Sequence, residues 1–296
     1  MSKFFNEMTR GRNVLYPEDK TNGEKPAYPL VEEPQREPEP QLEQHEILLD
    51  ASVVEAPAPV QEPYRKLEIP SDCRLRGRFE GSDWLESAEE SYRALRTRLL
   101  RMRSSRQLNY VLVTSATQGE GKTLTSFNLA LCCSQLPELR VLLIDSDLRT
   151  SGLTRLVGLP SGHGVEEVLT GQCQPKEAVM MTDQPNLFFL PAGHADKPAA
   201  ELLAGEEWQK LLNWCGESFD LVLVDAPPVL NLADVELLVP ACDGILLVVR
   251  AGHVRRDILE KSVKQLDPKK LLGLVYNGAV GRAYPRYYYE YGSSKN

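Results

Sequence analysis

A lysine and a threonine follow a short glycine-containing loop in the first half of the chain. The run TSATQGEGKTLTSFNLAL places Lys122 and Thr123 after an apolar stretch and at the start of a helical pattern. Glycines let backbone N–H groups approach phosphates, a lysine bridges the outer phosphates, and a threonine hydroxyl can bind Mg²⁺. The usual first glycine is replaced by Ala116. The run predicts a phosphate-binding loop whose nucleotide contacts are Gln118, Gly119, Glu120, Gly121, Lys122, Thr123 and Leu124.

Carboxylates follow two other apolar stretches of the sequence. VLLIDSDLR supplies Asp145 and Asp147, and LVLVDAPP supplies Asp225. Because the carboxyl ends of parallel strands share one edge of a sheet, these acids are expected beside the lysine and threonine. Together they predict a Mg²⁺–nucleotide site with Thr123, Asp145 and Asp225 as metal ligands. For each acid alone the other interpretation is a loop cap, and Asp147 could also cap a following helix.

The patterns of apolar residues around these side chains indicate an α/β domain. Apolar runs predict strands at 110–115, 141–145, 186–193, 221–225, 244–249 and 271–277. Helical spacing predicts helices from Trp84 to about residue 105, and at 122–136, 199–215 and 255–266. Strands that are apolar on both faces, alternating with amphipathic helices, indicate a mostly parallel sheet covered by helices on both sides.

Charge and proline content divide the chain. The formal net charge is −8, and the first 70 residues hold 10 of the 21 prolines together with an excess of acids. Such a segment cannot bury enough apolar surface to offset its ordering entropy, so residues 1–75 are predicted to be disordered. A domain at 76–280 and a flexible tail at 281–296 complete the predicted organisation. The nearly neutral remainder argues against nucleic acid as a partner.

Targeting signals are not evident in the sequence. No apolar run approaches the roughly 18 residues that a membrane span requires. The beginning, MSKFFNEMTRGRN, has no apolar core like that of a secretory signal. We therefore expect the protein in the cytoplasm.

The loop QGEGKT, the strand motif VLLIDSDLR and the second motif LVLVDAPP resemble the three Walker elements of bacterial tyrosine kinases, over roughly residues 84–291. These P-loop autokinases act in capsule and exopolysaccharide export. The resemblance implies an ATP- and Mg²⁺-dependent protein-tyrosine kinase with the P-loop NTPase fold. It implies Lys122, Asp145, Asp147 and Asp225 as catalytic residues. Asp145 would accept the tyrosine proton.

Two further motifs carry the resemblance and imply partners. Glu90, Arg93 and Arg96 match the family's ExxRxxR helix, which implies a homo-oligomeric ring; pairing within the helix is the alternative. A cluster of tyrosines near the C-terminus implies phosphoacceptors, namely Tyr284, Tyr287, Tyr288, Tyr289 and Tyr291. The split form of the family further implies a separate inner-membrane chain-length (co-polymerase) activator, which would place the protein peripherally at the inner face of the cytoplasmic membrane. A cognate tyrosine phosphatase is also implied.

Other residues leave alternatives open. Gln118 and Ala226 depart from residues common in the family, and neither position provides a side-chain ligand. Partitioning and septum-positioning ATPases carry a signature lysine where this chain has Thr117, and a nucleotide-binding adaptor without kinase activity is a third alternative. Asn277 resembles the base-reading asparagine of this fold branch, or forms an Asn-Gly turn. Arg149 would steady the acidic loop or the incoming phosphate, or form a structural salt bridge.

Overall fold

The computed structural model describes residues 64–70, 73, 82–160, 162–194, 196–231 and 233–279. Most of the predicted acidic segment and the whole tyrosine cluster lie outside these residues. In the described part of the chain, no helix combines the length and the hydropathy required to cross a lipid bilayer.

One sheet of eight strands organises the described residues, in the order β1-β4-β5-β3-β6-β2-β7-β8. Six neighbouring strands, from β5 to β8 in this order, are parallel. β4 is antiparallel to β5, and β1 is parallel to β4, so these two edge strands run against the other six. The strands are β1 (Arg65–Leu67), β2 (Tyr110–Ser115), β3 (Val141–Asp145), β4 (Met180–Thr182), β5 (Leu187–Leu190), β6 (Leu221–Asp225), β7 (Gly244–Arg250) and β8 (Leu271–Asn277).

Helices pack on both faces of this sheet, as the sequence predicts. They are α1 (Ser82–Ser105), α2 (Lys122–Ser134), α3 (Gly152–Leu156), α4 (Val165–Leu169), α5 (Pro175–Ala178), α6 (Ala199–Leu203), α7 (Glu206–Ser218), α8 (Asp234–Leu238) and α9 (Arg256–Gln265), with 3₁₀ turns at Val229–Asn231 and Val239–Ala241. One apolar core lies between the sheet and α1–α2, and a second lies under α4, α6 and α7. Successive residues of β3 enter opposite cores: Leu143 packs towards α2, and Ile144 towards the other face.

The sequence prediction agrees with the structure for the central strands, and β2, β3, β6 and β8 have the predicted bounds. The single helix predicted at 199–215 is instead two helices, because Ala204 and Gly205 end α6 and precede α7. The end of the predicted disordered segment, at residue 75, also differs from the structure. Residues 65–67 form a strand on β4, and Leu67 is buried.

Candidate nucleotide site

Strand register brings the acidic residues to the phosphate-binding loop. β6 lies between β2 and β3, and Asp225 is in register with Asp145 on one side and with Val113 on the other. The loop leaves β2 two residues after Val113, and α2 begins at Lys122. The carboxyl ends of three adjacent strands therefore place the lysine, the threonine and the acids at one edge, as predicted.

The turn into α2 depends on glycine. Gly119 and Gly121 have φ angles of 84° and 91°, in the left-handed region that L-residues with side chains avoid. A Cβ atom on Gly121 would also collide with the side-chain amide nitrogen of Asn277. Backbone and space together require glycine at position 121.

The side chain of Glu120 braces the loop from inside. It is fully buried. Its Oε1 accepts hydrogen bonds from the backbone N–H of Thr117 (2.6 Å) and from the Thr117 hydroxyl (3.0 Å). Its Oε2 accepts one from the backbone N–H of Arg250 (3.2 Å). Glu120 is one of the predicted nucleotide contacts, but its carboxylate faces the protein interior. Only the backbone atoms of Glu120 therefore remain to contact a ligand.

The ends of β7 and β8 hold the same loop from outside. The Arg250 guanidinium donates to the Gly119 carbonyl (3.2 Å), and His253 Nε2 lies 2.9 Å from the Gln118 carbonyl. Asn277 Nδ2 donates to the Glu120 carbonyl (2.9 Å). Arg250 and His253 were not predicted from sequence, because no motif marks the end of β7 or the turn after it. The base-reading role of Asn277 stays a prediction.

Lys122 lies among carboxylates. Its Nζ is 2.9 Å from Asp147 Oδ2, 3.8 Å from Asp225 Oδ2 and 3.3 Å from Thr123 Oγ1. Burial acts to lower the pKa of Lys122, but the charges of Asp225 and Asp147 outweigh it and raise that pKa above its usual value. The lysine is therefore a fixed positive charge at the mouth of the loop. Asp147 also accepts a hydrogen bond from the backbone N–H of Thr150 (3.2 Å), but this bond closes a turn and does not cap a helix, because α3 begins only at Gly152.

Asp225 organises the hydroxyls of the first turn of α2. The Thr123 hydroxyl donates to Asp225 Oδ2 (2.7 Å), and the Ser126 hydroxyl lies 2.9 Å from Asp225 Oδ1. Since Thr123 gives its proton to the carboxylate, its oxygen lone pairs remain available to a cation. Ser126 was missed from sequence, although it lies three residues after Thr123 and hence on the same helical face.

Asp145 is the least satisfied acid of the site. It is fully buried, and its Oδ2 accepts hydrogen bonds from the backbone N–H and the hydroxyl of Thr154, both at 2.7 Å. Among the described residues its Oδ1 has no hydrogen-bond partner. Burial, followed by the nearby charge of Asp225, raises the pKa of Asp145 to about 7. A buried carboxylate oxygen without a partner is the feature expected of a group that binds a ligand or a proton.

The donor set fits Mg²⁺ better than other metals. Hydroxyl and carboxylate oxygens from Thr123, Asp145 and Asp225 are ligands that Mg²⁺ prefers. Within the described residues, no three His, Cys, Asp or Glu side chains are arranged to hold a metal ion by themselves. Mg²⁺ usually keeps waters and binds one or two carboxylates together with substrate phosphates, so this absence does not oppose the fit.

Arg149 forms a bridge between two loops of the site. Its Nε and Nη2 lie 2.7 and 3.2 Å from the two carboxylate oxygens of Asp234, which is buried. This bidentate pair joins the loop after β3 to the segment after β6. It is the structural salt bridge that the sequence left open as an alternative, and Asp234 was not predicted.

The predicted assembly residues lie on α1, apart from the nucleotide loop in sequence. Arg93 pairs with Glu89 and Glu90, both at 3.3 Å, and about half of its side chain is exposed. Arg96 Nη1 instead donates to the Cys132 carbonyl at the end of α2 (2.7 Å). The pairing within the helix is thus present in the single chain, and the proposed contact between chains stays a prediction.

Comparison with known proteins agrees with this geometry. The sequence family described as AAA domain matches residues 110–266. Tyrosine-protein kinase YwqD of Bacillus subtilis is 33% identical over 209 residues, which cover 70% of this chain and 87% of that protein. Tyrosine-protein kinase CpsD of Streptococcus agalactiae is 30% identical over 197 residues, which cover 65% of this chain and 84% of that protein. The kinase domain of Escherichia coli tyrosine kinase ETK superposes with a TM-score of 0.64 at 28% identity, over 78% of this chain and 95% of that domain.

The parallel sheet, the glycine loop opening α2 and the acids at the strand ends define a P-loop NTPase domain. This chain belongs to the bacterial tyrosine-protein kinases.

Proposed function

We propose that the protein uses ATP to phosphorylate the C-terminal tyrosines of a neighbouring copy of itself. The observation that carries this proposal is the convergence of Lys122, Thr123 and the carboxylates of Asp145, Asp147 and Asp225 at one edge of the sheet. Phosphoryl transfer needs positioning and charge neutralisation more than covalent chemistry, and these groups supply both.

Lys122 and the loop N–H groups would hold the β- and γ-phosphates of ATP. For this the lysine exchanges part of its contact with Asp147 for phosphate oxygens, which also carry negative charge. Thr123 and Asp225 would hold Mg²⁺, directly or through water, and the cation when bound neutralises charge on the phosphates. Asp225 fixes the orientation of the Thr123 hydroxyl through the 2.7 Å hydrogen bond.

Asp145 would accept the proton of the attacking tyrosine hydroxyl. Its unpartnered Oδ1 is free to do so, and Thr154 fixes the orientation of its other oxygen. A pKa of about 7 makes Asp145 a stronger base than an ordinary carboxylate. A phenol has a pKa of about 10, so the lysine and the cation must also lower the barrier.

Assembly and location complete the proposal. The Glu90–Arg93 pair is exposed, and such pairs contribute at most about 1 kcal/mol, so a neighbouring copy can replace it at small cost. We propose a ring of copies, recruited to the inner face of the cytoplasmic membrane by a separate co-polymerase activator. It would regulate capsule or exopolysaccharide polymerisation, and a cognate tyrosine phosphatase would reverse its phosphorylation.

The test mixes two variants with ATP and Mg²⁺. One is Lys122→Met with an intact tail, and the other is an active chain with the five tyrosines Tyr284, Tyr287, Tyr288, Tyr289 and Tyr291 changed to Phe. Mass spectrometry should find phosphate on the tail of the inactive variant, because only transfer between copies can label it. Lys122→Met alone is the control and should stay unlabelled, with circular dichroism verifying its fold.

A different result would contradict the proposed kinase activity. If the wild-type protein, given its activator, hydrolyses ATP but never labels those tyrosines, the protein is an ATPase and the proposal is wrong.

A further inference from the structure

The chain that follows β5 passes close to Asp145. β3 lies between β5 and β6, and Ile144 is in register with Leu190, the last residue of β5. The chain after Leu190 therefore leaves the sheet beside Asp145, on the opposite side of β3 from Asp225. We call residues 191–194 the β5 loop.

The Thr154 hydroxyl joins the β5 loop to Asp145. Its Oγ1 accepts a hydrogen bond from the backbone N–H of Ala192 (3.0 Å) and lies 2.7 Å from Asp145 Oδ2. A hydroxyl has one proton, and the Ala192 N–H can only donate. The proton of the Thr154 hydroxyl is therefore directed to Asp145 Oδ2, which gives both hydrogen bonds a fixed direction.

The two oxygens of Asp145 become unequal as a result. Oδ2 faces two donors, the N–H and the hydroxyl of Thr154, so a proton on this oxygen would be opposed. Oδ1 has no hydrogen-bond partner among the described residues. Asp145, Thr154 and Ala192 are all buried, so bulk water does not replace these bonds. A proton that reaches Asp145 is therefore accepted at Oδ1.

The β5 loop is itself held by the first turn of α4. The backbone N–H groups of Val165 and Glu166 donate to the carbonyls of Pro191 (2.8 Å) and Ala192 (3.0 Å). Both backbone polar groups of Ala192 are thus engaged, its C=O with α4 and its N–H with Thr154. The position of α4 therefore determines the direction of the N–H that holds Thr154.

A buried carboxylate on α4 fixes the other end of the loop. Glu167 Oε1 accepts a hydrogen bond from the backbone N–H of His194 (3.2 Å) and lies 2.6 Å from His194 Nδ1. Its Oε2 accepts one from the N–H of Gly164 (2.8 Å). A Cβ atom on Gly193 would collide with this carboxylate, so the close approach requires glycine. Glu167 thereby ties the loop to α4.

This arrangement differs from one that merely satisfies a buried acid. Asp225 shows the satisfied arrangement, because the hydroxyls of Thr123 and Ser126 engage its two oxygens separately. At Asp145 both donors of Thr154 converge on one oxygen and leave the other without a partner in the described part of the chain. Such contacts orient the carboxylate rather than neutralise it.

We propose that Thr154, held by the β5 loop, is a positioning residue that turns Asp145 so that Oδ1 alone meets the tyrosine hydroxyl. Glu167 is a second positioning residue, which acts on Thr154 through the loop. The inference rests on the proposed kinase function. As the phenolic oxygen bonds to the γ-phosphorus and the bond from that phosphorus to the leaving ADP breaks, the phenolic proton passes to Oδ1.

The test compares Thr154→Val with Thr154→Ser in the chain whose five tail tyrosines are Phe, with the Lys122→Met chain as substrate. Valine keeps the shape of threonine without the hydroxyl, whereas serine keeps the hydroxyl. In Thr154→Val, kcat for labelling the substrate tail should fall about tenfold or more, because a misplaced base slows transfer. The KM for ATP should not change, and Thr154→Ser should recover most of the activity.

Thr182→Val is the matched control. Thr182 is also buried, and its hydroxyl donates to the carbonyl of Leu187 (2.9 Å), within the edge strands and away from Asp145. This variant should lower the melting temperature and leave kcat unchanged. It separates the loss of a buried hydrogen bond from the loss of positioning.

A double-variant cycle tests the role of the loop. Glu167→Gln should also lower kcat at an unchanged KM for ATP, since an amide nitrogen would face the N–H of Gly164 or His194. Added to Thr154→Val it should cause no further fall in kcat, because both changes act through the same hydroxyl. Additive losses would overturn the role of Glu167.

The remaining outcomes separate this inference from the proposed function. If the wild type labels the tail and Thr154→Val keeps its kcat, or Thr154→Ser loses as much as Thr154→Val, only the inference is wrong. If the wild type, given its activator, never labels the tail, both are wrong. If Thr154→Val fails to fold by circular dichroism, Glu167→Gln replaces it, and a wild-type kcat in that variant overturns the inference.

Discussion

Asp145 shows how a residue of a binding site can oppose the stability of the fold. Its burial beside Asp225 disfavours the ionised form, and the two hydrogen bonds from Thr154 compensate only one of its oxygens. A carboxylate buried in this way is retained for what it binds, because nothing in its packing requires a charge.

Changing Asp145 to Asn should therefore abolish kinase activity and yet stabilise the fold at neutral pH. The folded-state pKa of Asp145, about 7, lies above the unfolded value, so the folded wild type holds a proton that the unfolded chain has lost. Wild-type stability consequently falls as pH rises from about 4 to about 7, and Asn removes this contribution. Thermal unfolding of both proteins across this range should show that the melting temperature of the variant rises relative to that of the wild type as pH increases.

Asp225→Asn provides the contrasting variant. Burial raises the pKa of the Asp225 carboxyl as well, but unlike Asp145 this carboxylate accepts hydrogen bonds from Thr123 and Ser126 on both oxygens and faces Lys122. An amide nitrogen at this position would oppose donors and a cation. The melting temperature of this variant should fall. If Asp145→Asn instead lowers the melting temperature as much at neutral pH, Asp145 is a structural residue.

The phosphate loop is held as much by β7 and β8 as by its own sequence. Arg250, His253 and Asn277 each contact a loop carbonyl, at Gly119, Gln118 and Glu120. These three contacts use only C=O groups of the loop, so they leave its N–H groups, other than that of Thr117, available to phosphates. The strand ends act as a clamp on the loop.

Gly121→Ala should destroy ATP binding and cost about 2–3 kcal/mol of stability. The left-handed φ angle costs about 1–2 kcal/mol, and displacing the Asn277 amide loses a hydrogen bond worth about 1 kcal/mol. Calorimetric titration with ATP and chemical denaturation measure the two effects. Adding Asn277→Ala to this variant should recover part of the stability.

Gly252→Ala is the matched control. Gly252 has a similar left-handed φ of 67°, but nothing lies near the added Cβ, so only the backbone cost should appear and ATP binding should remain. Equal losses of ATP binding in both variants would contradict the clamp.

The central elements could be predicted from sequence, because buried parallel strands are continuous apolar runs and the motif residues follow them directly. β1 and β4 could not: each has only three residues, and β1 is placed by its pairing with β4, more than a hundred residues later in the chain. The inward direction of Glu120 also escaped prediction. Its carboxylate accepts hydrogen bonds from Thr117 and from Arg250, and only the folded chain brings Arg250 close to it.

Helix α1 is the proposed contact between copies of the protein. Of its three predicted assembly residues, Arg96 already joins α1 to α2, so replacing it would disturb the single chain as well as the assembly. Glu90 and Arg93 pair only on the exposed surface. They can be changed without loosening the domain.

Glu90→Ala/Arg93→Ala should therefore yield monomers with unchanged helix content. Multi-angle light scattering in the presence of ATP analogue and Mg²⁺ measures the mass, and circular dichroism measures the helix. Glu207→Ala/Lys210→Ala removes another exposed pair at the same helical spacing, on α7, and should leave the assembly intact. The interface is wrong if the double variant on α1 keeps the mass of the wild type.

The position of β2 in the sheet has a consequence for the order of events during synthesis. β2 pairs on one side with β6 and on the other with β7, both more than a hundred residues later in the chain. A nascent chain that has just completed the phosphate loop therefore has neither neighbour available to hold the strand before it. The loop becomes a nucleotide site only when residues up to about Arg250 have emerged. If translation stops before that point, the truncated polypeptide contains every residue of the glycine loop but binds no ATP.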